Sequence, residues 1–164
     1  MSKRSLTVGW DDPMIGARTG ASMSGRDYLT ALIEGRIPPP PIARLLGFHL
    51  ARIDEGFAVF ECTPGEQHYN PIGVVHGGLA CTLLDSAMGC AVHTLLPAGT
   101  AYTTLELKIN LVRPVTTDTG LLRSEGRIIH AGKRAATAEG KLLDAAGKLY
   151  AHGTTTCMIF DPRG

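Results

Sequence analysis

The chain has 164 residues, 44% of them hydrophobic and 19% charged, the balance of one domain able to bury about two-thirds of its unfolded surface. With 16 basic against 15 acidic side chains, no field exists to hold a nucleic-acid backbone or an anionic membrane, although a local basic patch for a small phosphorylated ligand is still open. Cys62, Cys81, Cys90 and Cys157 form no C-x-x-C pair and no zinc-type Cys/His spacing, which points to a reduced, cytoplasmic setting.

The first residues, MSKRSLTVGWDDPM, lack the apolar core of a secretion signal, and residues 1 to about 23 show no period and read as an irregular arm. Ser24 and Asp27 resemble a capping box, with Tyr28, Leu29, Leu32 and Ile33 at helical spacing before Gly35, so a short amphipathic helix is expected. The run IPPPPI, residues 37–42, cannot continue it and forms a stiff connector, after which ARLLGF makes one or two helical turns. The expected division is an arm over residues 1–41 and a compact domain over 42–164.

From Ala51 to Thr63 the residues favour a strand, with Gly56 at a turn or bulge. After HYNPIG a long helix spans about Gly78 to Leu96, stopped by PAG. Its apolar run is interrupted by Asp85 and His93, which argues against a membrane span. TTLELKINLVRP then alternates, with Leu105, Leu107, Ile109 and Leu111 on one face and Thr104, Glu106, Lys108 and Asn110 on the other. Further strands fall near 121–131, 133–144 and 148–160, separated by the turns HAGK and DAAGK. The order, strand, buried helix and a four-strand meander, predicts an α+β fold in which an antiparallel sheet wraps one long helix.

Asp85 is the anomaly, because burying an unpaired charge costs several kcal/mol. Helical spacing surrounds it with Gly78, Cys81, Thr82, Met88 and Gly89, while Leu79, Leu83, Ala87, Cys90 and Ala91 take the sheet side. The glycines seven before and four after Asp85 leave room for a ligand. His76-Gly77-Gly78 places backbone N–H groups at the helix start, where they favour a developing oxyanion. Gly77 and Asp85 are eight residues apart, about 12 Å along a helix, too far to act on one carbonyl. Two antiparallel copies of the helix across a dimer would bring one chain's Gly77 beside the other's Asp85.

The segment NPIGVVHGGLACTLLDSAMG resembles the signature of hot-dog-fold acyl-CoA thioesterases of the phenylacetic-acid-degradation (PaaI-like) type, and the likeness extends through TTLELKINLVRP and GKRAATAEGKLLDAAGKLYAHGTTTCMI, roughly residues 42–160. The resemblance implies hydrolysis of an acyl-CoA to free acid and CoA by a homodimer, assembled as a dimer of dimers, with no cofactor or metal. It implies Asp85 as general base or nucleophile, Gly77 N–H as the carbonyl-polarising donor and Asn70 as the residue positioning water or carbonyl. His76 would orient the loop, and Thr104 would hold the attacking water. For the CoA end, Gly78, Arg113, Lys133 and Arg134 are the candidates, the basic three as phosphate partners.

Taken singly, each residue has a plainer reading. Asp85 alone is a helix carboxylate reaching solvent or an arginine, Asn70 before Pro71 a turn residue, His76 a helix-entry residue and Thr104 a strand former. A Cys81/His76 nucleophile pair is disfavoured, because nothing nearby lowers a thiol pKa. His49, His68, His93, His130 and His152 lack metal-ligand spacing and read as loop or surface positions. A non-catalytic acyl-CoA-binding domain is the first alternative; an enoyl-thioester hydratase is the second, and the absence of a D-x-N-x-x-H loop counts against it.

Overall fold

The computed structural model describes residues 3–162; the ends of the expected arm and domain, residues 1–2 and 163–164, lie outside it. The arm is more regular than its sequence suggests. Helix α1, Pro13–Gly20, starts where Asp12 accepts the Met14 N–H at 2.9 Å and Pro13 takes the first helical position. No residue of α1 is buried, so the apolar period that betrays most helices is missing. Helix α2, Gly25–Ile33, is capped as expected, Ser24 Oγ accepting the Asp27 N–H and donating to Asp27 Oδ2 at 2.6 Å. Helix α3, Pro41–Leu46, ends at Gly47, whose φ of 65° needs a glycine.

The stretch expected as one strand over 51–63 is a hairpin, β1 Phe48–Asp54 and β2 Phe57–Cys62. Gly56 makes the turn at φ 65°, and Thr94 Oγ1 accepts its N–H at 2.9 Å, tying the hairpin to the end of the long helix. That helix, α4, runs Gly77–His93, followed by β3 Ala101–Leu111, β4 Leu122–Ala131, β5 Ala135–Asp144 and β6 Leu149–Phe160. The sheet is antiparallel in the order β1-β2-β4-β5-β6-β3, and α4 touches all six strands. Among the described residues no helix is long and apolar enough to cross a membrane.

The expected four-strand meander is therefore a three-strand one, β4-β5-β6. Among the described residues β3 pairs only with β6 and leaves its other edge open. The β3–β4 connection cannot be a hairpin, because Pro114 breaks the ladder and the Val75 N–H takes the Val115 carbonyl at 2.9 Å, drawing the chain past the start of α4. The expected division of α4 faces also shifts. Met88 is fully buried, because the sheet covers more than half of the helix, and Cys90 lines the same cavity as Asp85.

Helix and sheet approach unusually closely at Gly126 of β4 and its register partner Gly140 of β5. A Cβ on Gly126 would stand 2.2 Å from the Ala87 carbonyl oxygen, backbone that cannot step aside. Beside it, Ser124 Oγ donates to the Leu83 carbonyl at 2.9 Å with no exposure. Gly126→Ala is expected to destabilise by about 3 kcal/mol or more, the upper end of overpacking costs, and to lower Tm by roughly 6–12 °C. A calorimetric melt checks this; a variant melting with the parent would mean α4 has room to move.

Candidate active site

The alternation expected for β3 breaks at a bulge. Thr104 pairs with Cys157 and Glu106 with Thr156, so Leu105 is the extra residue, 61% exposed. Thr155 Oγ1 supports the bulge by donating to the Glu106 carbonyl at 2.8 Å. Because the pleat slips by one, Thr104 points inward like Leu107 and Ile109 after it, rather than outward with Glu106 and Lys108. The Thr104 hydroxyl donates to Asp85 Oδ1 at 2.9 Å. Asp85 is half-buried, and none of the ion pairs among the described residues involves it.

Asp85 and Thr104 open onto a cavity of about 570 Å³ between α4 and α2, walled by Leu29, Leu32, Phe48, Phe60 and Tyr102 among others. The neighbouring titratable groups are held uncharged by burial. The Cys90 thiol is pushed up to about 12, Tyr102 well above and Cys157 above their ordinary values, each first by desolvation; the Asp85 charge adds to all three, while hydrogen bonds with Tyr102 at Cys90 and with Thr155 and Thr104 at Cys157 oppose the rise. The Asp85 carboxylate thus faces the cavity steadied by one hydroxyl and by no ion pair among the described residues, a group of the chemical type that serves as general base or nucleophile.

Asn70, His76 and Gly77 line a different cavity, of about 280 Å³, with Leu111 and Arg113. His76 is the N-cap of α4, and its Nδ1 accepts the Gly78 N–H at 2.8 Å. Gly78, expected as a substrate contact, therefore has its N–H engaged, whereas no hydrogen bond among the described residues takes up the Gly77 N–H. Asn70 Oδ1 accepts the Ile72 N–H at 3.0 Å and the Val74 N–H at 3.4 Å, folding the loop that presents Gly77. Within one chain Asn70, His76 and Gly77 are thus brought together, Asp85 and Thr104 are brought together, and the two groups are apart.

The basic residues divide likewise. Arg113 lies at the Gly77 end, donating to the Leu149 carbonyl. Lys133 lies beyond the other end of α4, in the turn after β4, and Arg134 follows it. Among the described residues no cluster of three or more His, Cys, Asp or Glu could hold a metal ion. The residues missed at the sequence level are Tyr102 and His93, both lining the Asp85 cavity. Tyr102 was legible as the residue two before Thr104 on one strand face, and His93 as two helical turns beyond Asp85.

Two of the five histidines expected at the surface or in loops are not exposed. His68 is 7% exposed and His93 half-buried. Burial pulls both below the ordinary histidine value, outweighing for His68 a backbone hydrogen bond at Leu46. The unfolded chain then binds more protons than the folded one, so their contribution is complete above about pH 6.5 and is lost as pH falls through that value toward the lower folded ones. Thermal melts are expected to be level near pH 7–8 and to decline below about pH 6.5. A level profile down to pH 5.5 would contradict burial of neutral imidazoles.

Comparison with known proteins follows the same outline. The family model described as the Thioesterase superfamily matches residues 72–151, from the loop before α4 into β6. A solved structure of the phenylacetic acid degradation-related protein of Ralstonia eutropha is 31% identical, with a TM-score of 0.72 and coverage of 80% of this chain and 98% of that one. A Halobacterium salinarum protein that carries an esterase name is 33% identical over 80% of this chain and 89% of its own. The 1,4-dihydroxy-2-naphthoyl-CoA hydrolase of Listeria monocytogenes is 25% identical over 70% of this chain and 91% of its own.

Proposed function

The chain belongs to the Thioesterase superfamily as a hot-dog protein of the PaaI type, and from that membership we propose that it hydrolyses an acyl-CoA to a carboxylic acid and CoA at sites shared by two copies. The observation that carries the proposal is the carboxylate of Asp85, held by Thr104 and facing a largely apolar cavity with no lysine or arginine among the described residues that line it. Asp85 takes a proton from water whose oxygen bonds to the thioester carbonyl carbon. Gly77 N–H of the second copy, at the positive end of its helix, steadies the oxyanion, and the carbon–sulfur bond then breaks with CoA leaving as thiolate.

The open edge of β3 supports the sharing. Leu111 of β3 lies against Gly77, where a Cβ would meet its Cδ1 at 2.5 Å, and Thr104 of β3 holds Asp85. Two β3 strands paired antiparallel about a two-fold axis at Lys108, with the bulged Leu105 as the extra residue, set residue 104 of one opposite residue 111 of the other, about 4.8 Å away. That symmetry carries one copy's Gly77 loop to the other copy's Asp85. The four cysteines, all free, support a cytoplasmic setting, and Arg113, Lys133 and Arg134 are proposed for the CoA phosphates. A thiol-release screen over short, long and aryl acyl-CoAs tests the activity. Tight acyl-CoA binding without thiol release would instead identify a binding domain.

A further inference from the structure

The Asp85 cavity ends at a partition. Tyr28, His93 and Tyr102 line it, and the same three residues line a second cavity of about 380 Å³ beneath α1, beside Gly16, Ala17 and Gly20. The rings form one row, with centroids 5.6 Å apart from Tyr28 to His93 and 5.4 Å from His93 to Tyr102. Each is held from a different side. The Tyr102 hydroxyl rests over Gly89, where a Cβ would stand 2.9 Å from it. Gly25 brings α2 directly onto α4, since a Cβ there would lie 1.8 Å from the His93 carbonyl oxygen, and the Gly25 N–H takes the Leu96 carbonyl at 3.0 Å. The Tyr28 ring is then clamped from above by α1, whose Gly16 and Gly20 would place a Cβ 3.1 Å from its hydroxyl and 3.0 Å from its ring. Tyr28 alone of the three comes from the N-terminal arm, outside the family-matched residues 72–151.

We propose that Tyr28 is a specificity-determining residue, the stop that limits the length of the acyl chain lying in the Asp85 cavity. This rests on the thioesterase reading above. Short acyl groups fit on the Asp85 side of the ring row; a longer straight chain meets the Tyr28 ring and can enter the space beneath α1 only when that ring is gone. His93 and Tyr102 stay in place without it, because α4 and β3 carry them.

The test is kcat/KM by thiol release across hexanoyl-, octanoyl-, decanoyl- and dodecanoyl-CoA for the full chain and for Tyr28→Ala. Each methylene newly buried is worth roughly fourfold, so the dodecanoyl-to-hexanoyl ratio is expected to rise at least about tenfold, while Tyr28→Phe keeps the parent ratio. Adding Ala17→Phe to Tyr28→Ala refills the second cavity and is expected to return the ratio toward the parent's. An unchanged ratio in folded Tyr28→Ala, or the same rise in Tyr28→Phe, overturns the proposal. Should Tyr28→Ala not fold, Tyr28→Leu is read by the same ratio. Should the parent release no thiol from any substrate, the thioesterase reading fails on its own; the proposal is then read from binding of hexyl- and dodecyl-CoA thioethers by calorimetry, with the same expected shift.

Discussion

Asp85→Asn is expected to slow thiol release from acyl-CoA by about a thousandfold, within the range of general acid–base contributions, with the melting temperature and assembly unchanged. The substitution keeps the shape of the side chain and an oxygen to accept the Thr104 hydroxyl, now held at 2.9 Å. It removes only the charge and the basic lone pair. Loss of structure is not anticipated, because Asp85 forms none of the ion pairs among the described residues, and neutralising a half-buried unpaired carboxylate relieves desolvation instead of leaving a partner stranded. Substrate affinity should change far less than turnover, since the group acts on the reacting carbon and not on the acyl tail or nucleotide. Steady-state kinetics beside a melt and a sedimentation run check all three points. Turnover near the parent's, with the assembly intact, would remove Asp85 from the chemistry.

Two inactive variants are expected to restore activity when mixed. Gly77 is the first residue of α4, the position where proline is tolerated because its N–H has no helical partner. His76 before it already has φ −61° and ψ 134°, the extended conformation a following proline requires. Gly77→Pro therefore deletes the proposed oxyanion donor while keeping the helix start, provided the Leu111 methyl swings aside, and should cost about 10²–10³ in kcat. In a mixed dimer of Asp85→Asn with Gly77→Pro, one site receives an intact Asp85 from one chain and an intact Gly77 from the other, and the second site receives neither. Random exchange of equal amounts makes about half the dimers mixed, so about a quarter of parent activity per site should return. Each variant alone stays near background. Mixed samples no more active than the sum of the two would place both groups in one chain, or the site elsewhere.

Much of this was readable in the residues themselves. The helix around Asp85, the glycines that make room beside it and the eight-residue separation from Gly77 depend on helical repeat alone, which is a local property. The likeness of NPIGVVHGGLACTLLDSAMG to the PaaI-type signature led to the family that the comparisons bear out, and the capping of α2 by Ser24 and Asp27 was equally local. Strand order was not local. β3 looks like the first member of a meander until Pro114 and the Val75–Val115 bond route the chain past α4 and send β3 to the far edge.

The inward turn of Thr104 needed the bulge at Leu105, and a bulge is settled by pairing with β6 rather than by the alternating pattern, which had put Thr104 outside. The ring row of Tyr28, His93 and Tyr102 joins an arm helix, the long helix and an edge strand that are distant in sequence. Sequence alone determined what repeats at fixed intervals along one element: the helix, its N-terminal donors, its carboxylate and the distance between them. Tertiary structure decided what depends on contact between elements, namely the register of β3, the partition of the cavity and the walls of the two pockets onto which Asp85 and Gly77 open, because those follow from which backbones hydrogen-bond and pack together and no periodicity along the chain encodes that.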